Sequence, residues 1–329
     1  DKVHNDEILV PARKIMAEKS KPPHDRGSML WDASEGPTRM LISSFDRWTS
    51  ALLADDGIDM PFMGGNEKIS ATIIAKDNGI LAGCAAVDHM LQIWAGNVNI
   101  SWSHGEGRSI ASGDEIANLN GEKDAVLSME RTILNILGQL SGIATEAKKW
   151  ASKAPGQIAC TRKTIWGLMD KWAVHLGGGL THRLNKSDAK MVKENDLAVM
   201  YPEFDNNGAR ISKYLSEVNP EECGAFIEIE VREEKEAIMA AFTWSERRMI
   251  DGFDRLVIML DNFTPERCKN IASELSEMGL REHVVLEASG GILLQNIEDW
   301  RECGLDVLST STINRGTNPL DLSMLVEYQ

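Results

Sequence analysis

Across residues 157–311, short apolar runs recur, each followed by a stretch of helical periodicity. The runs are QIACT (157–161), the region 190–199, AFIEIEV (225–231), RLVIML (255–260), HVVLEAS (283–289) and LDVLSTS (305–311). Buried strands that alternate with helices pair in parallel, and this many units in one half of a chain favour a sheet curled into an α/β barrel. Helix candidates lie between the runs at 233–241 and 265–278. Pro265 suits a first helical turn and Gly279 a stop.

The first half has a different character. A periodic patch at 42–53 reads as a helix ending in the acidic turn Asp55-Asp56-Gly57. Between 68 and 120, SATIIAK, GILAGCAAV, LQIWAG and VNISW read as strands of a small sheet, separated by glycines. The GEGR segment (105–108) lacks a phosphate-loop pattern and reads as a hairpin turn. Met129, Ile133, Ile136, Leu137 and Leu140 share one face of a long helix. Arg131 projects from another side of it and, on spacing alone, reads as a solvated surface charge.

Composition limits the function. The 329 residues carry 35 basic and 50 acidic side chains, a formal net charge of −15. Such a balance excludes wholesale nucleic-acid binding, which needs a basic face. No apolar run approaches the roughly 20 residues of a membrane span. The five cysteines form no CxxC pair and read as reduced thiols, and the opening stretch has no apolar signal core. The expectation is a cytoplasmic enzyme.

Against that acidic background one segment is basic. From Thr161 to Lys193 there are seven Lys or Arg and two acids (Asp170, Asp188), a local balance of 7 − 2 = +5. Lys171, Lys186 and Lys190 read as a solvated helix face. Arg162-Lys163 at a strand end, and His182-Arg183 beside Gly177-Gly178-Gly179, read as an anion site, because guanidinium forks match carboxylates and phosphates. The other strands also end in polar groups: Glu228 and Glu230, two apart and therefore on one face, then Asp261-Asn262, Ser289-Gly290-Gly291 and Ser309-Thr310-Ser311. In a parallel barrel these positions ring one mouth. Ser289-Gly290-Gly291 is a candidate phosphate cradle, and Glu230 with Asp261 a candidate Mg²⁺ site. The residues thus point to an enzyme that holds a phosphate-bearing substrate with Mg²⁺ and a second anionic partner.

The motifs MERTILNILGQLSGIAT (129–145), TRKTIWGL (161–168), KWAVHLGGGLTHR (171–183), MVKEN (191–195), IEIEV (227–231), MLDN (259–262) and EASGGI (287–292) closely resemble the quinolinate phosphoribosyltransferase family, in order, from about residue 71 to 322. The resemblance implies a small α/β sandwich domain with an N-terminal extension (1–135), an incomplete α/β barrel of the type II phosphoribosyltransferase class (136–315), and a tail (316–329) that packs with the first domain. It implies a homodimer, or higher oligomer, with shared sites. The reaction it implies joins quinolinate to 5-phosphoribosyl-1-pyrophosphate with Mg²⁺, giving nicotinate mononucleotide, CO2 and pyrophosphate. Carried over by motif, Arg162, Lys163, His182, Arg183 and Lys193 bind the quinolinate carboxylates, beside Thr161, and Arg131 reaches in from the neighbouring subunit. Glu230 and Asp261 face the ribose hydroxyls and the Mg²⁺–pyrophosphate, so these two and Lys163 are the candidate catalytic residues. Ser289, Gly290, Ser311 and Arg315 serve the 5-phosphate. The chain departs from the family pattern at Trp166, Thr181, Asn185, Asp196, Ser311 and Arg315, and in its acidic turn. Those departures keep two alternatives in view: transfer to a different pyridine or aromatic acid, and a catalytically silent ligand-binding relative. A Schiff-base lyase using Lys193 is a more distant one.

Overall fold

The computed structural model describes residues 21–327. The opening stretch inspected for a signal core lies outside these, as do the last two residues of the tail. A short antiparallel pair, β1 (Trp31–Asp32) and β2 (Gly36–Pro37), leads into α1 (Arg39–Asp55). Then come β3 (Lys68–Ala75), β4 (Gly79–Ile80), α2 (Cys84–Trp94), β5 (Asn99–Trp102), β6 (Ser109–Ile110), β7 (Glu115–Glu122) and the 31-residue α3 (Lys123–Lys153). The second half runs β8 (Ile158–Ala159), α4 (Leu168–Leu176), β9 (Lys190–Val192), α5 (Glu194–Met200), α6 (Asn207–Glu217), β10 (Ile227–Val231), α7 (Glu234–Asp251), β11 (Leu256–Asp261), α8 (Pro265–Glu277), β12 (Val284–Ser289), α9 (Ile297–Arg301) and β13 (Val307–Ser309), and β14 (Leu322–Glu327) closes the chain.

Six strands form one parallel sheet in the order β8-β13-β12-β11-β10-β9. It curls into an incomplete barrel whose seam lies between β9 and β8. Residues 180–189 run through that seam, with Leu180 bridged to Ala159. A second, antiparallel sheet has the order β14-β3-β7-β5, so the chain's last strand returns beside β3 of the first half.

Side-chain alternation builds the barrel in layers. Ile227, Ile229, Val231, Ile258, Leu260 and Leu286 point outward into the core shared with the helices. Phe226, Val257, Val285, Val307, Ala159 and Leu180 point inward and close the barrel at the amino ends of its strands. Two residues further along, the same inward face carries Glu228 and Glu287, both fully buried. Two further still it carries Glu230, Asp261 and Ser289. The period of two along every strand turns one apolar plug into a polar mouth.

Several local readings need correction. GILAGCAAV and LQIWAG are not strands: after β4 they form α2, which starts at Gly83 (φ 101) and buries Cys84, Ala86, Val87, Met90 and Leu91 at helical spacing. A run that is apolar on every side carries no period by which to separate strand from helix. The 190–199 run is a strand for three residues only. It turns into α5 because the Asp196 carboxylate accepts the Lys193 N–H at 3.0 Å, half of a capping box. GEGR is a turn but joins no hairpin, since β5 pairs with β7 and β6 with β4. Glu106 instead accepts the Gly83 and Cys84 N–H groups at the start of α2, and the Trp172 indole N–H. Lys171 is no solvated residue: it is 2% exposed, and its Nζ donates to the carbonyls of Thr161 (3.2 Å) and Thr181 (2.7 Å). Among the described residues the five cysteines are free and buried, and no helix is long and apolar enough to cross a membrane.

Candidate active site

A cavity of about 320 Å³ opens at the carboxyl ends of the barrel strands. Arg162, Lys163, Arg183 and Lys193 form its cationic side, Glu230 and Asp261 its acidic side, and Thr161, Ser289 and Ser309 add hydroxyls. Met191 and Met259 supply apolar surface, and His182 lies at the floor.

Each group is held from behind. The loop after β8 that bears Arg162 and Lys163 is pinned by the two Lys171 bonds and by Asn314, whose amide donates to the Lys163 carbonyl at 3.0 Å. The buried Asp170 carboxylate accepts the Ile165 and Trp166 N–H groups (2.8 and 3.1 Å). Burial pushes the Asp170 carboxyl above the usual range, while those hydrogen bonds and Asn314 pull the other way. Arg183 is 8% exposed and donates to the Ala189 carbonyl at 3.2 Å. Burial, then the charge of Arg162, hold its guanidinium below the ordinary value. Two crowded cations of this kind favour an anion between them. Lys193, at the head of α5, reaches across to ion-pair with Glu230.

Asp261, Ser289 and Ser309 sit in register on three adjacent strands. Asn262, in the left-handed region (φ 57), donates its backbone N–H to the Ser289 carbonyl at 2.8 Å and its side-chain amide to Asp261 at 3.0 Å. Its side chain explains Gly290 (φ 99): a Cβ there would stand 2.3 Å from Asn262 Oδ1. Arg232 approaches Asp261 at 3.8 Å from the exposed rim.

Of the thirteen residues singled out by sequence, the cavity brings together Thr161, Arg162, Lys163, His182, Arg183, Lys193, Glu230, Asp261 and Ser289. Gly290 adjoins them in the β12 turn. Ser311 and Arg315 do not line the cavity: the Ser311 carbonyl accepts the Arg315 N–H at 2.8 Å in a turn, and the Arg315 side chain is exposed. Arg131 is exposed on α3, in a separate hollow with Leu52, Asn135, Trp166 and Asp321. Sequence reasoning missed Met191, Met259, His24 and Glu287. Glu287 was within reach of it, being two residues before Ser289 on an inward face. His24 carried no local signal, since its partner lies 263 positions away.

Residues 143–325 match the quinolinate phosphoribosyl transferase C-terminal domain, and residues 48–141 the corresponding N-terminal domain. The chain belongs to the quinolinate phosphoribosyltransferase family. Within that family it is 33% identical over 267 residues to a probable nicotinate-nucleotide pyrophosphorylase (carboxylating) of Archaeoglobus fulgidus, covering 79% of this chain and 95% of the relative. A protein of the same description from Methanothermobacter thermautotrophicus is 31% identical over 264 residues, covering 78% and 88%. The solved nicotinate-nucleotide pyrophosphorylase of Francisella tularensis superposes with a TM-score of 0.71 at 26% identity, covering 87% of this chain and 97% of that one. The quinolinate phosphoribosyltransferase match begins at residue 48, so the segment carrying His24 precedes it.

Proposed function

We propose that this protein transfers the phosphoribosyl group of 5-phosphoribosyl-1-pyrophosphate to the ring nitrogen of quinolinate with decarboxylation, giving nicotinate mononucleotide, CO2 and pyrophosphate. One observation carries the reading: in an acidic molecule, four cationic side chains and two carboxylates face each other across one cavity at the barrel mouth. Arg162, Lys163, Arg183 and Lys193 grip the two ring carboxylates. Met191 and Met259 give the ring an apolar surface, and Ser289 with the Gly290 turn receives the sugar phosphate.

Displacement at the sugar C1 develops positive charge on the ring oxygen and C1, which the fixed carboxylates of Glu230 and Asp261 stabilise. The attacking group is the pyridine nitrogen, so no protein nucleophile is needed, and alignment by the carboxylate clamp supplies much of the rate. Once alkylated, the cationic ring nitrogen stabilises the electron pair left on the adjacent carbon as its carboxylate departs as CO2, and that carbon then takes a proton from water. Glu230 and Asp261 are hard oxygen donors, and Mg²⁺ is generally held by one or two carboxylates plus substrate phosphates and water, so this donor set fits it. Held by these two carboxylates, Mg²⁺ would supply positive charge to offset that of the departing pyrophosphate.

The test is direct. Pure protein with quinolinate, phosphoribosyl pyrophosphate and Mg²⁺ forms nicotinate mononucleotide, and chelation stops it until Mg²⁺ is restored. No product at high enzyme concentration sinks the reading.

The exposed position of Arg131, outside its own chain's cavity, supports a homodimer in which it completes the neighbour's clamp. Arg131→Ala and Arg183→Ala are then each impaired alone. When the two are mixed and allowed to exchange subunits, activity returns to about a quarter of wild type, because half the dimers are mixed and each has one intact site. No recovery, with exchange verified by mass, removes the shared site.

A further inference from the structure

Beneath the cavity lies a buried cluster that the reaction does not use. His24, Glu228 and Glu287 are each 0% exposed and lie against His182 inside the barrel. His24 arrives on a strap that runs along the open seam, ahead of the family match. Arg26 grips Asp188 through Nε and Nη2, the latter at 2.9 Å, and its backbone N–H donates to Thr181 Oγ1 at 2.9 Å. The Thr181 hydroxyl and the His182 N–H both donate to the His24 carbonyl, at 3.2 and 2.8 Å. Further on, Trp31 stacks on Trp172 with ring centroids 4.9 Å apart. Keyed at these points, the strap delivers the His24 ring between His182 and Phe226.

One carboxylate then bridges two imidazoles. Glu287 meets His24 Nε2 at 2.7 Å through Oε2 and His182 Nε2 at 3.1 Å through Oε1. His182 Nδ1 accepts the Arg183 N–H at 2.7 Å, so it carries no proton and Nε2 carries the ring's only one. Three such side chains, with ligand atoms within 4.8 Å of one another, also suggest a metal site. A histidine that ligates through Nε2, however, must donate from Nδ1, and the Arg183 N–H occupies that position. Burial disfavours an imidazolium here, but the field of Glu287 and Glu228 outweighs it and pushes the ring pKa up to about 10, whereas the Arg183 N–H needs an unprotonated Nδ1. The hydrogen bond decides, because an imidazolium has no acceptor nitrogen. Glu287 is the anion: burial pushes its carboxyl up, and the hydrogen bonds donated by the two imidazoles hold it low. Glu228, whose oxygens have no hydrogen-bond partner, is pushed up by burial and then by the charge of Glu287.

We infer that His24 is a positioning residue for the quinolinate clamp: through Glu287 it holds the His182 ring, and through His182 Nδ1 it holds the backbone of Arg183. This rests on the reading of the cavity given above. Without the His24 donor, Glu287 is left with a buried unpaired oxygen, His182 is free to turn, and Arg183 loses the acceptor that sets its backbone at a strained corner, where His182 has φ 54.

Two variants of the full chain separate positioning from packing. His24→Gln keeps an N–H donor at comparable reach, whereas His24→Leu keeps bulk without one. The expected result for His24→Leu is a quinolinate KM raised roughly tenfold or more, with the phosphoribosyl pyrophosphate KM and kcat much less changed. His24→Gln restores most of the quinolinate affinity. If His24→Leu does not fold, His24→Asn, whose amide is too short to reach Glu287, takes its place with the same two outcomes. Equal behaviour of the donor and non-donor variants overturns the inference. Imidazole nitrogen resonances of the isotope-labelled chain read the relay without turnover: His182 is a pure Nε2–H tautomer in wild type and His24→Gln, and loses that purity without the donor. Wild-type protein that fails to turn over quinolinate defeats the proposed function alone, whereas a His182 tautomer indifferent to His24 defeats the inference alone.

Discussion

Arg183→Ala lowers kcat/KM for quinolinate by about 2–5 kcal/mol, the usual cost of leaving one charge of a buried pair without its partner. At 1.36 kcal/mol per decade this is roughly 30- to 5,000-fold. The guanidinium is almost fully buried and braced by the Ala189 carbonyl, so no neighbour swings in to replace it. Arg183→Lys restores the charge but not the planar fork and recovers only part of the loss. Steady-state kinetics at saturating phosphoribosyl pyrophosphate measures both variants. An alanine variant within threefold of wild type places the ring carboxylates elsewhere in the cavity.

The second large effect is on stability. Trp150 of α3 is fully buried, and its indole N–H donates to Glu146 Oε1 at 3.0 Å. Trp150→Ala removes the whole ring from a packed core and costs about 3–5 kcal/mol. For a chain of this size that shifts the melting temperature by roughly 4–7 °C. Trp150 lies away from the cavity, so quinolinate KM at low temperature stays at its wild-type value. Scanning calorimetry reads the shift, and a change under about 2 °C contradicts the packing described for α3.

The cavity was legible in the sequence to an unusual degree, and for a simple reason. Strands in a parallel barrel alternate with a period of two, so Glu230, Asp261 and Ser289 announced both their face and their end. The basic excess from Thr161 to Lys193 located the opposing wall, since four of its seven cations (Arg162, Lys163, Arg183 and Lys193) line the cavity. Where the pattern lost its period, reading failed: α2 is apolar on more than one side and α5 opens on the polar turn Glu194-Asn195-Asp196, so only their caps and neighbours select the helix. Lys171 misled because a charge is taken for a solvent-facing group until three backbone and sulfur acceptors are seen around it.

The amino-acid order by itself determined the barrel's layering, the apolar plug beneath a polar mouth, and the sign of the ligand, since each follows from spacings of two to four residues along one chain. Only the tertiary structure decided that a histidine from the leading strap shares a carboxylate with His182, and that Arg131 stands outside its own chain's cavity. Those facts depend on contacts across tens to hundreds of positions, which are set when packed surfaces exclude water together and which no local period encodes.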